Sequence, residues 1–248
     1  MTRRILRKAW ALFGASCLLA LICGCKAPGR PEVAEARPDQ VLSFDKLYKQ
    51  NCAACHGEAG KGGIAVSLAS PVYIAIASRD AIREHTANGG PGKLMPAFAK
   101  KSGGTLTDAQ IEVLVEGIER NWGHGGVLAG QNPPPYRATL VGDPARGEKE
   151  YASNCVRCHG ANGVDKSHPA GPVTDPVYLS LISDQGLRTT ILSGRPEDGM
   201  PDWRQIAAAP LTDQQITDIV SWLATLRRRP ASSEMPTTAS PASQGGPQ

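Results

Sequence analysis

Cys52-Ala53-Ala54-Cys55-His56 and Cys155-Val156-Arg157-Cys158-His159 are two copies of C-x-x-C-H, set 103 residues apart in a chain of 248. The motif is the attachment signature of c-type haem. Its two thiols add across the porphyrin vinyl groups, and the adjacent histidine is held beneath the iron. A thioredoxin-like redox pair would belong to a βαβ pattern, and none is visible here. A zinc site would need its second C-x-x-C within about 15–20 residues. The second axial ligand has to come from elsewhere in the chain. Met95 follows His56 by 39 residues and Met200 follows His159 by 41, each directly before a proline. A thioether opposite an imidazole raises the reduction potential. Two covalently attached haem c groups are therefore expected, on Cys52 and Cys55 and on Cys155 and Cys158. Their irons would be ligated by His56 with Met95 and by His159 with Met200, which suits electron transfer rather than oxygen chemistry.

Outward from these motifs the sequence repeats itself, which is the sign of a duplicated structural unit. At an offset of 103, Tyr48 and Tyr151 precede the two motifs. At 105, Ser70-Pro-Val-Tyr-Ile matches Asp175-Pro-Val-Tyr-Leu, and Met95-Pro96 matches Met200-Pro201. Leu106-Thr-Asp-Ala-Gln-Ile likewise matches Leu211-Thr-Asp-Gln-Gln-Ile. Each half carries three helix signals. A short amphipathic run leads into C-x-x-C-H. An apolar-periodic segment follows Pro71 or Pro176, where proline suits the first turn. A last run opens at Thr107 or Thr212, each placed to cap it, with apolar residues at 3–4 spacing. No strand alternation competes, so both halves are expected to be all-α.

Composition divides the rest. Residues 1–24 have a basic start (Arg3, Arg4, Arg7, Lys8) and a 13-residue apolar run from Trp10 to Ile22. That run matches a signal-peptide core and falls short of the ~20 residues that span a bilayer. Ile22-Cys23-Gly24-Cys25 resembles the lipobox of bacterial lipoproteins, which makes Cys25 the expected lipidation site and mature N-terminus. Residues 25–42 read as a flexible tether and residues 123–142 as a Gly/Pro-rich linker. Residues 230–248 read as a disordered tail. The haem units are then 43–122 and 143–229. The whole chain has 27 basic and 23 acidic side chains. The excess of four lies in the signal segment, so the mature chain is near neutral. That excludes a nucleic-acid surface and strong global steering.

The two motifs, the matched methionines and the helical order resemble the class I cytochrome c family, over about two-thirds of the chain. The resemblance implies two tandem cytochrome c domains, each of three or more helices around its haem. In that fold the first and last helices cross through a small residue on one and an aromatic on the other. Gly147 and Trp222 fill these places in the second half. Phe44 and Gly117 fill them in the first, with the partners exchanged. The resemblance also implies a backbone carbonyl about a dozen residues past each proximal histidine as partner for its Nδ1–H. Val66-Ser67 and Gly171-Pro172 are so placed. His85, His124 and His168 read as solvated side chains, with His85 as the substitute ligand if Met95 is displaced.

The function expected is that of an exported electron carrier rather than an enzyme. It would be lipid-anchored on the periplasmic side of a bacterial membrane, exchanging electrons with redox proteins of a respiratory or photosynthetic chain, free or as a complex subunit. A dihaem peroxidase is the alternative, but it would keep one iron open or bis-His ligated. A haem sensor would need an output domain, which is not visible. Asp202, beside Met200, is expected to make the second haem the lower in potential.

Overall fold

A computed structural model describes residues 36–92, 94–161, 170 and 173–227. The signal segment, Cys25 and most of the tether therefore lie outside the described residues, as do Gly171-Pro172, His168 and the tail. The chain divides into two compact units, 1–40 and 41–248. In the first, Pro38–Gln40 forms a 3-10 turn. The second holds both haem motifs. Its described elements are helices and short 3-10 turns, joined by two isolated β-bridges, Ala99–Leu106 and Arg195–Met200.

The two halves run through the same elements. The first has α1 (Phe44–Asn51), α2 (Ala53–His56), α3 (Pro71–Asn88) and α4 (Asp108–Trp122). The second has α5 (Pro144–Asn154), α6 (Val156–His159), α7 (Pro176–Leu181), α8 (Asp184–Ser193) and α9 (Asp213–Thr225). The start signals act as their chemistry dictates. Ser43 and Asp143 cap α1 and α5 through their side chains. Pro71 and Pro176 open α3 and α7 behind the caps Ser70 and Asp175. Thr107 with Gln110 and Thr212 with Gln215 close full capping boxes on α4 and α9, which satisfies two orphan N–H groups at each start.

The segment after each proline is not one regular helix. Ser78 interrupts α3 with φ +64°, in the left-handed region. Its counterpart Ser183 separates α7 from α8 and caps α8, accepting from the Gly186 N–H at 3.0 Å. Apolar periodicity does not register so short a break, which takes one residue at Ser78 and two, Ile182 and Ser183, in the second half.

Each half buries its own apolar cluster. Leu47, Tyr48, Ile111, Leu114 and Ile118 anchor the first, and Leu179, Leu192, Ile216, Ile219 and Leu223 the second. Ile76 of α3 packs against the second cluster, so the halves are in contact. The linker is gripped as well. Buried Arg188 donates from Nε and Nη2 to the Pro135 carbonyl at 3.1 and 2.7 Å, and from Nε to the Tyr136 carbonyl at 3.1 Å. Arg188 is itself ion-paired with Asp213, which offsets the cost of burying its charge. The Tyr136 ring then meets Tyr73 and His85 of the first half edge-on or tilted, at 6.5 and 5.9 Å between centroids.

That contact corrects the expectation for His85. It is not a solvated side chain. It packs on Tyr136, whose hydroxyl lies 3.4 Å from Nδ1, and its Nε2 is buried without a partner among the described residues. Burial, followed by the nearby Arg137 cation, pushes its pKa below the ordinary imidazole value. His124 is exposed, as expected.

Candidate functional site

The proximal side of each site is built by one short turn of helix. α1 runs into α2 through Cys52, and α5 into α6 through Cys155, so each motif lies across a tight junction. The Gly57 and Gly160 that follow the histidines have φ +82° and +75°. A side chain there would be strained, and at Gly57 a Cβ would stand 1.9 Å from the Lys61 carbonyl oxygen. The turn is pinned from the preceding helix. The Tyr48 hydroxyl donates to the Gly57 carbonyl at 2.8 Å, and the Tyr151 hydroxyl to the Gly160 carbonyl at 3.1 Å. The repeat of tyrosine before each motif was visible in the sequence; that it ties down the glycine after each histidine was not.

His56 is buried, 7 % exposed, and its Nδ1 lies 2.8 Å from the Val66 carbonyl oxygen. A carbonyl only accepts, so Nδ1 carries the proton and Nε2 keeps its lone pair for a metal. The carbonyl expected at Val66-Ser67 is thus Val66, ten residues on. Burial lowers the His56 pKa, and the Val66 bond opposes it. His159 is half-buried and also has an interaction partner. The Cys52 and Cys155 thiols are pushed up to about 12, by burial first and then by the neighbouring Cys55 or Cys158. As free thiols in the folded chain they would be protonated and poor nucleophiles.

The methionines sit in matching turns. In the second half the Arg195 and Met200 backbones bond both ways, at 2.9 and 3.0 Å, after α8 ends. In the first the Gly90 N–H donates to the Met95 carbonyl at 3.0 Å, after α3 ends. The second half brings its expected residues together: Cys155, Cys158, His159 and Met200 line one cleft, closed by Ile191, Ile206, Leu211 and Ile219. In the first half Met95 stands against Gly89 and Gly90, where an added Cβ would meet its carbonyl oxygen at 2.9 Å and its Cβ at 3.0 Å. Trp203, three residues after Met200, buries its indole Nε1–H without a partner among the described residues.

These features fit a covalently attached haem. In the second half an apolar cleft with two thiols, an imidazole and a thioether on its walls would offer both attachment and ligation, and in the first the imidazole of His56 is oriented for it by the Val66 carbonyl. An orphaned buried donor suits a ligand that carries acceptor groups. The expectation for Asp202 is revised. Its carboxylate is paired with Arg204 at 2.7 Å and mostly shielded, so it acts as half of a neutral pair rather than as an isolated charge.

Comparison with known proteins agrees with this reading. A family model described as cytochrome C oxidase, cbb3-type, subunit III matches residues 39–116 and 142–223. The cbb3-type cytochrome c oxidase subunit FixP of Bradyrhizobium diazoefficiens is 29% identical over 195 residues, covering 71% of this chain and 61% of that protein. FixP of Bradyrhizobium sp. is 32% identical over 166 residues, covering 63% and 52%. The cbb3-type subunit CcoP of Rhodobacter capsulatus is 29% identical over 195 residues, covering 73% and 60%. The chain thus spans roughly half to three-fifths of the length of these relatives. Each matched segment is a cytochrome c domain, the class that carries covalent haem c, and the chain belongs to the cbb3-type cytochrome c oxidase subunit III family.

Proposed function

We propose that this chain passes single electrons between redox proteins at a bacterial membrane, as a dihaem carrier or as the electron-transfer subunit of an oxidase-type complex. Cys52 and Cys55 bind one haem and Cys155 and Cys158 the other. His56 and His159 are the proximal ligands, Met95 and Met200 the distal ones. The haem supplies a one-electron Fe(III)/Fe(II) couple. The protein supplies the ligand field, the orientation of the imidazoles and an apolar wall that excludes water. The observation that carries this reading is the single cleft shared by Cys155, Cys158, His159 and Met200. A dihaem peroxidase gains no support, since the family matched is that of an oxidase subunit and each half has a methionine in the distal turn.

Among the described residues no helix is long and apolar enough to cross a membrane. Attachment is assigned to Cys25, lipidated after removal of residues 1–24, with residues 26–42 as tether on the periplasmic side. One acyl chain gives only marginal binding, whereas two or more hold stably.

The test is spectroscopic. The purified protein should contain two haem c per chain and show the near-infrared charge-transfer band of Met-ligated ferric haem. Met95→His and Met200→His should each lower the potential of one haem only. A high-spin haem that binds peroxide would overturn the carrier reading. Mass spectrometry of the mature N-terminus decides the anchor separately: an unacylated terminus beyond Cys25 removes it and leaves the haem assignment standing.

A further inference from the structure

Arg195 belongs to the second half but ends in the first. Its guanidinium donates from Nη2 to the Gly63 carbonyl at 2.8 Å and from Nη1 to the Ala65 carbonyl at 3.0 Å. Nε holds Asp198 of its own turn at 2.6 Å, and the side chain is 22% exposed. Both ends of this bridge touch a redox site. At one end the Arg195 backbone pairs with Met200. At the other, Ala65 donates its N–H to the Cys55 carbonyl at 2.9 Å, and the next residue is Val66, whose carbonyl holds His56 Nδ1. The counterpart of Arg195 in the first half is Gly90, which has no side chain to return the contact.

We infer that Arg195 is a cross-domain positioning residue: from the distal-ligand turn of the second site it clamps the loop that orients the proximal histidine of the first. A planar fork with two fixed donors suits two carbonyls in one loop, whereas a lysine ammonium is a point charge on a flexible stem with no such fork. Gly90 returns no such bridge, so through this contact the potential of the first haem depends on the second domain.

This rests on the proposed role of His56 as ligand, and the test separates the two. In holo-protein, Arg195→Gln and Arg195→Lys are compared with wild type by amide exchange and by redox titration of both haems. Losing a charge-assisted hydrogen bond should raise local opening about tenfold, read as faster exchange of the Ala65 amide in both variants. In Arg195→Gln the first haem should also fall in potential, because the guanidinium held at its loop is lost and Asp198 is left unpaired, both of which favour Fe(III), while the second keeps its near-infrared band. Unchanged exchange in both variants overturns the clamp. Faster exchange with both potentials unmoved also overturns the inference, since Arg195 would then be a structural tie only. A wild-type protein without haem on Cys52 and Cys55 would overturn the His56 assignment itself.

Discussion

The two halves cross their first and last helices with opposite parts. In the second, Gly147 of α5 lies against α9, where a Cβ would meet the Asp218 carbonyl oxygen at 2.0 Å and the Trp222 Cβ at 2.8 Å. In the first, Gly117 lies on α4, and a Cβ there would meet Phe44 Cδ2 of α1 at 1.9 Å. The aromatic has changed helix, and close packing is kept. The surroundings differ more. Phe44 shares its site with Tyr48 and Trp122, ring centroids 5.5 and 5.8 Å away. The second crossing keeps an aromatic pair, Tyr151 with Trp222 at 4.6 Å, and adds charge: buried Asp218 accepts from Arg146, Gln214 and the Asp143 N–H. Ser43 and Val113 occupy the corresponding places in the first half. Contact at the crossing is what the fold demands; which helix supplies the bulk, and whether an ion pair joins the aromatic seam, is free.

Removing the bulk tests that equivalence hardest. Phe44→Gly should destabilise the first domain by about 3 kcal/mol, the low end for an aromatic truncation because Phe44 is half-buried. Adding Gly117→Trp should recover part of the loss, as read from guanidinium unfolding of the holo-protein. Strictly additive losses would break the comparison. Adding bulk should separate the halves. Gly147→Ala drives a methyl into backbone and should cost about 2–3 kcal/mol, whereas Gly117→Ala meets a ring that can turn and should cost about 1 kcal/mol. Equal costs would mean that Phe44 is as fixed as a main chain.

The smallest effect is in pH. Burial opposes ionisation of Asp218, but hydrogen bonds from Arg146, Asp143 N–H and Gln214 outweigh it and hold its pKa below the usual carboxylate range. A depressed carboxylate stabilises above its unfolded pKa of about 3.9 and loses that support as pH falls through its native value. His85 has a depressed pKa too, so the folded state resists its protonation. Its contribution is complete above about 6.5 and declines as pH drops below that. Acidification should therefore loosen the His85–Tyr136 contact first and the second crossing later. Asp218→Asn should remove the later step alone, and His85→Gln the earlier one, in denaturation midpoints taken from pH 8 to 3.

Much of this was legible beforehand. C-x-x-C-H, the matched methionines and the threonine caps announced the helices and the order of the site, because each signal is local. The Phe44–Gly117 exchange followed from aligning the halves. The breaks at Ser78 and at Ile182-Ser183 were not legible, since a helical pattern survives an interruption of one or two residues. Arg195, Arg188 and His85 were also missed, for a common reason. The contacts that tie them across the molecule span 51, 53 and 132 residues, and an arginine bound to a backbone carbonyl leaves no complementary side chain in the sequence to mark that bond.

The grip of Arg188 on Pro135 and Tyr136 changes what a break in the chain would mean. Arg204 holds the linker further upstream, at the Val127 carbonyl, so a cut at Gly125 or Gly126, where an added Cβ would touch nothing, would fall ahead of every held residue. Residues 131–142 would stay with the second fragment, still carrying Tyr136 to its seat on Tyr73 and His85. The nicked protein would be two polypeptides behaving as one, joined by a peptide that had become a bound ligand.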